Sequence, residues 1–213
     1  RDGDINILVD PTLPVDEMEN RLQRYCGLGR NDIDIIFATH FHTDHRLEAE
    51  KYPNAKLYMS AESIQDVAEL RKEGGAFAQI GEDLAVAGLA AEGEAAPRQL
   101  SPGVEVHPLP GHTLGLSGLV FTSGGKKVLL AGDTIMNAEF YHAREGYFID
   151  ASQKKTAASM EWAAKNVDII VPGHGDWFFT SDQATGGEKT LQWRKLNLCA
   201  SGEETAVLVQ AGN

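Results

Sequence analysis

The stretch Thr39-His40-Phe41-His42-Thr43-Asp44-His45-Arg46 places three imidazoles and a carboxylate within six residues, in the pattern H-x-H-x-D-H. Imidazole nitrogen and carboxylate oxygen are donors that suit a borderline divalent ion. Four donors this close in sequence cannot all reach one ion in good geometry, but split into two pairs they can each serve one ion of a close pair. A histidine-rich surface patch would have no strand before it and no partners elsewhere. Here the run Ile33-Asp34-Ile35-Ile36-Phe37-Ala38 precedes the cluster, and it is β-branched and aromatic enough to read as a buried strand. A loop at a strand's end is held by a rigid sheet and can aim several side chains at one point. The stretch is a metal site.

Three further short stretches supply what this loop lacks. Pro110-Gly111-His112-Thr113, Ala131-Gly132-Asp133-Thr134 and Pro172-Gly173-His174-Gly175 follow the strand-like runs Val104–His107, Val128–Leu130 and Ile169–Val171. Each sets a glycine beside the donor, which permits a tight turn and close backbone approach. Asp10, which ends the run Ile5–Val9, has two readings. It can accept the N–H of a ligand imidazole, or simply be the turn residue before Pro11.

In this order, H-x-H-x-D-H, P-G-H-T, G-D-T and P-G-H-G resemble the metallo-β-lactamase-fold hydrolase superfamily, over nearly the whole chain from Ile5 to His174. The resemblance implies an α+β fold, an αββα sandwich of two mixed sheets with outer helices and a dinuclear site at one edge. Family members usually have one or two strands ahead of the one that opens this chain. By the match, His40, His42 and His112 bind one ion and Asp44, His45 and His174 the other, while Asp133 bridges both, as does a water or hydroxide. The cofactor implied is a pair of divalent ions, zinc first, with iron or manganese as alternatives. Hydroxide flanked by two cations attacks a carbonyl, and Asp44 is the catalytic proton shuttle to the leaving group. The segment after G-D-T overhangs the site in the family, making Tyr141, His142, Arg144 and Tyr147 candidates for substrate contact. His107, within a strand, reads as structural.

Several branches of the superfamily fit poorly. Nucleases carry added nucleic-acid-binding elements, glyoxalase II enzymes have a helical domain after the last histidine, and true β-lactamases lack an aspartate at the place of Asp133. The flavo-diiron reductases carry Glu where this chain has His42. The expected activity is hydrolysis of an ester, lactone or thioester. The alternative is a mononuclear-iron persulfide dioxygenase of the same fold, which shares H-x-H-x-D-H, P-G-H-T and the aspartate. One departure from the family is Arg46-Leu47-Glu48, which puts a charged side chain beside the site.

The elements that must position these residues are legible in outline. A strand ends at Asp10, and a helix from about Val15 to Tyr25 carries Val15, Met18, Leu22 and Tyr25 at helical spacing, stopped by Gly27 and Gly29. Leu47–Tyr52 reads as a short helix, Lys56–Met59 as a strand, and Ser60 as the cap of a helix to about Glu73. Gly74–Pro97, rich in Ala, Gly and Glu, is either a lid or insertion or a plain surface connection. Leu116–Thr122 and Lys127–Ala131 form a hairpin around Ser123-Gly124-Gly125-Lys126. Helices follow at about Ser152–Asn166 and near Glu188–Leu198. A single domain over 1–213 is expected.

At 213 residues, 42% hydrophobic and 23% charged, the chain is an ordinary globular one. The formal net charge of −12 argues against nucleic acid as a partner, whose binders neutralise phosphates. No apolar run approaches the roughly 18 residues of a membrane span, so the expected partner is a small-molecule substrate. Cys26 and Cys199, the two cysteines, have no paired spacing and favour a reducing, cytoplasmic location. The chain opens at Arg1 rather than Met, so the lack of a signal segment carries little weight. Composition does not set the oligomeric state.

Overall fold

Alternation of apolar residues along the strands decides the layers. The computed structural model describes residues 1–66, 93–147 and 152–181, with the backbone of 196–197 and 206–207. One sheet runs β1 (Ile7–Val9), β2 (Ile35–Phe37), β3 (Lys56–Met59), β4 (Glu94–Ala95), with every pairing parallel. The second follows the order β10 (Phe178–Phe179), β9 (Ile169–Val171), β8 (Lys126–Leu130), β7 (Ser117–Ser123), β6 (Val104–Pro108), β5 (Gln99–Ser101). Only β8 and β9 pair in parallel there.

Ile7, Val9, Ile35 and Phe37 of the first sheet pack with Leu100, Val104, Val106 and Leu119 of the second, forming the apolar seam between them. Their neighbours Leu8 and Ile36 point the other way, onto Val15, Met18 and Leu22 of helix α1 (Val15–Cys26). On the far side, Val120, Leu129 and Ile170 pack under Met160 and Ala163 of helix α4 (Gln153–Asn166) and Tyr141 of helix α3 (Ala138–Ala143). The period-two reversal of side chains along each strand thus builds helix, sheet, sheet, helix. This is the expected α+β, αββα sandwich.

Strand direction then decides where chemistry can collect. β6 and β8 both run antiparallel to β7, and β9 runs with β8. The C-terminal ends of β6, β8 and β9 therefore share one edge, and the loops bearing His112, Asp133 and His174 leave from it. The loops after β1 and β2 carry Asp10 and His40–His45. The reversed strands, β5, β7 and β10, deliver none of these residues.

Several details differ from expectation. Leu47–Tyr52 holds only a single 3₁₀ turn, Ala49–Lys51. Helix α1 has no side-chain cap from its own Pro14; Glu48 supplies one from the metal loop, its carboxylate accepting the Val15 N–H at 2.7 Å. Within Gly74–Pro97, Glu94–Ala95 is an edge strand on β3, and residues 74–92 lie outside those described. Helix α2, residues 61–66, is capped by Ser60 as expected, with Ser63 N–H donating to its hydroxyl at 2.9 Å; its expected continuation lies outside the described residues. Leu196–Asn197 pairs with Ala206–Val207 as strand, against the helix expected near Glu188–Leu198, the rest of which also lies outside them. Among the described residues no helix is long and apolar enough to cross a membrane.

Candidate metal centre

His40, at the end of β2, is fully buried, and its ring meets those of His42, His45 and His112 at centroid distances of 4.5, 4.3 and 4.9 Å. Nδ1 of His42 lies 2.9 Å from Nε2 of His40 and 3.0 Å from Nε2 of His112. Burial, and then the neighbouring imidazoles, hold His40 well below its usual range for protonation. Burial and His112 lower His42 to about 4. At neutral pH the uncharged rings of His40 and His42 therefore point nitrogen atoms at one spot, which Nε2 of His112 also faces. More lone pairs face one another there than protons can bridge, which is the donor set a divalent cation takes.

Asp133 follows β8, is 4% exposed, and divides its two oxygens. Oδ1 is 3.2 Å from Nε2 of His45 and 3.4 Å from Nε2 of His174, while Oδ2 is 3.7 Å from Nε2 of His112. Burial would raise this carboxyl, but His174 and His45 outweigh it and hold it well below the usual carboxylate range. Asp133 Oδ1 and His45 Nε2 are buried, yet neither has a well-formed hydrogen bond. Leaving two such groups unmatched is costly unless something sits between them. Asp44, exposed to solvent, completes the far side, with Oδ2 at 3.5 Å from Nε2 of His45 and 3.9 Å from that of His174. Three groups, His40-His42-His112, His40-His45-Asp133 and Asp44-His45-His174, each bring their donor atoms within 4.8 Å of one another. These clusters fit a pair of divalent ions.

Outer contacts orient the donors. Asp10, in a left-handed conformation (φ 47), accepts the Thr39 N–H at 2.8 Å, the Thr39 hydroxyl at 2.9 Å and Nδ1–H of His45 at 2.9 Å. With its own proton given to Asp10, the Thr39 hydroxyl oxygen accepts from Nδ1 of His40 at 3.1 Å. Both rings thus keep Nε2 turned to the cluster. Burial disfavours a charge on His45, but Asp10 and Asp133 outweigh it and raise its pKa to about 11. Nδ1 of His112 donates to the backbone carbonyl of Tyr147 at 3.2 Å. Thr39 was not singled out in the sequence, although a signal existed. Asp10 and Thr39 follow neighbouring parallel strands, so their meeting is implied by pairing β1 with β2.

Close packing explains the glycines. At Gly173 an added Cβ would lie 2.0 Å from Oδ1 of Asp133. Gly132 has φ 53 and a Cβ there would lie 2.5 Å from the Thr39 hydroxyl. No other residue type fits either position without moving a donor or its support.

The candidates for substrate contact separate. Tyr141 is a correction: it is 2% exposed and sits in the core against Phe178, because α3 turns its apolar face to the sheet. His142 packs near the same Tyr141 and Phe178 rings. Arg144 lies over the Tyr141 ring and donates to the Met160 carbonyl at 3.2 Å. For neither is a contact with the histidine cluster seen among the described residues. Tyr147 meets the cluster through its backbone carbonyl on His112, and its ring, 55% exposed, lies 5.7 Å from Phe140. Leu114, 51% exposed, lies two residues beyond His112. His107 is structural as expected, its ring stacked 3.5 Å from that of Trp162. Arg46 is buried and donates to the Phe41 carbonyl at 2.7 Å, bracing the metal loop from within.

A family model, that of the metallo-beta-lactamase superfamily, matches residues 1–174. The chain belongs to this superfamily. It is 24% identical over 196 residues to the Probable metallo-hydrolase MJ0888 of Methanocaldococcus jannaschii, covering 82% of this chain and 84% of that protein. Among solved structures, a Thermotoga maritima protein of the metallo-beta-lactamase type matches with TM-score 0.61 at 20% identity, over 83% of this chain and 84% of that one. AidC, a dizinc quorum-quenching lactonase solved with a homoserine product, matches with TM-score 0.59 at 21% identity, over 82% and 70%. Family and donor clusters together make this chain a metal-dependent hydrolase.

Proposed function

We propose that the centre holds two divalent ions, zinc in the first place, and hydrolyses the carbonyl of an ester, lactone or thioester. His40, His42 and His112 would hold one ion, Asp44, His45 and His174 the other, and Asp133 would serve both. The observation that carries this reading is the division of Asp133, one oxygen towards His45 and His174 and the other towards His112. When bound, such a pair of cations brings a water towards a pKa of about 7 and offers a Lewis acid to the carbonyl oxygen.

The remaining work falls to the chain's own residues. Asp10 and Thr39 hold His45 and His40 in one tautomer, and the Tyr147 carbonyl does the same for His112. Burial of His40, His45 and Asp133 keeps bulk water from the inner side. Asp44, with 59% of its side chain exposed, stands between the cluster and solvent. It is the group suited to pass a proton to a leaving alkoxide or thiolate. Leu114, two residues beyond His112, and Tyr147, whose carbonyl meets His112, are exposed large side chains, which suits a substrate with a hydrophobic acyl part.

The test is a panel of an activated ester, acyl lactones and a thioester, assayed without oxygen on zinc-loaded protein. Turnover of at least one is expected, with lactones and esters ahead of thioesters. Oxygen uptake with glutathione persulfide by protein holding one iron, with no ester turnover at any metal loading, would replace this reading with the dioxygenase one.

A further inference from the structure

The loop bearing His112 is held on both sides of the histidine. Before it, Pro110 and Gly111 lie on α4: the Ser159 hydroxyl donates to the Pro110 carbonyl at 2.9 Å, and a Cβ on Gly111 would lie 2.3 Å from the Thr156 hydroxyl. After it, the peptide groups of Gly115 are gripped by a different element, helix α2. The Gly115 carbonyl accepts from Ser60 Oγ at 2.5 Å and Ser63 Oγ at 3.1 Å, and its N–H donates to Oδ2 of Asp66 at 2.6 Å. Ser60 and Ser63 are 5% and 0% exposed. A Cβ on Gly115 would lie 2.1 Å from the Ser63 nitrogen, so helix and loop meet backbone to backbone.

Carboxylate-to-amide hydrogen bonds are roughly twice as strong as neutral ones and prefer shorter distances. A bond of 2.6 Å made by a half-buried Asp66 fixes the height of the loop above the helix. Three residues earlier the same loop must place Nε2 of His112 at 3.0 Å from His42 and 3.7 Å from Asp133. We propose that Asp66, with Ser60 and Ser63, is a positioning residue for the metal centre, acting through Gly115 on His112. Helix α2 then sets the strength of the His40-His42-His112 cluster without touching it, and the reading rests on the metal assignment above.

Cobalt(II) supplies a readout separate from activity. Stepwise CoCl₂ titration of metal-free protein is followed by visible absorption, in the parent, Asp66→Ala and Asp66→Asn. Asp66→Ala should weaken cobalt binding at the His112 cluster by about 10-fold, the lower end of the range for residues that orient ligands, and shift or weaken its bands. Asp66→Asn retains an oxygen for the Gly115 N–H and should recover most of the parental spectrum. A parental spectrum and affinity in Asp66→Ala would overturn the proposal, as would an Asn variant no better than the Ala one. If Asp66→Ala does not fold, Ser63→Ala removes a donor to the Gly115 carbonyl; an unchanged titration there would likewise overturn it. Failure of the parent to take up cobalt would instead remove the metal assignment and this inference together.

Discussion

At the scale of single residues, the centre depends on how few protons its nitrogens carry. Nδ1 of His45 donates to Asp10, so the proton implied by a pKa of about 11 sits on Nε2, facing Asp133. A cation taking that nitrogen must displace it. Because this pKa is raised above the ordinary value near 6.5, the displaced proton is present throughout the neutral range. Zinc affinity therefore rises with pH, and loading releases protons. Calorimetric titration in two buffers of different ionisation enthalpy should give different heats, and equal heats would remove His45 from the ligand set. Asp133→Ala should lose one of the two ions and most activity; unchanged metal content by elemental analysis would show that the carboxylate does not bridge. Asp10→Ala should lower metal affinity by roughly 10–100-fold, because two imidazoles lose their support at once.

At the scale of elements, the helices hold the loops rather than the substrate. Glu48, just beyond the metal loop, caps α1 through Val15. Its loss in Glu48→Ala should lower stability, as the loss of a helix cap does. Denaturant unfolding should show that loss, with the stoichiometry of bound zinc unchanged. The donors themselves were legible in the sequence, because H-x-H-x-D-H and the three glycine-flanked partners are local patterns ending apolar runs. Helix α1, β3 and α4 were legible from periodicity and caps. The supports were not, because Thr39, Asp66 and the Tyr147 carbonyl act across distances that only strand pairing and helix docking define. The family resemblance implies a segment overhanging the site after G-D-T; there the chain forms helix α3, which turns Tyr141 into the core. The helix's signal was Asn137, whose side chain accepts the Phe140 N–H at 3.0 Å. The short strands β4, β5 and β10 carry too few residues for a period and exist by pairing with neighbours.

At the scale of the molecule, His40, His42, Asp44 and His45 follow a strand of one sheet, while His112, Asp133 and His174 follow strands of the other. Cations held between them, as proposed, would tie the sheets together at one edge. A ligand that binds only the folded state adds stability that grows with its concentration, about 2.7 kcal/mol at a hundred times its dissociation constant. Chelation should accordingly lower the melting temperature and zinc restore it. A melting temperature indifferent to chelator would mean that the edge is held by the protein alone.

That division between sheets also bears on how the protein comes into being. His40 to His45 leave the ribosome before any donor of the second sheet. His174, at the end of β9, arrives after every other donor, and Asp133 reaches its neighbours only once β8 lies beside it. On the proposed assignment a chain that stops short of β9 lacks His174, and so lacks one donor of the Asp44-His45-His174 group. The second ion's donor group would therefore be complete only once β9 lies beside β8, which ties the finished centre to the assembly of the second sheet.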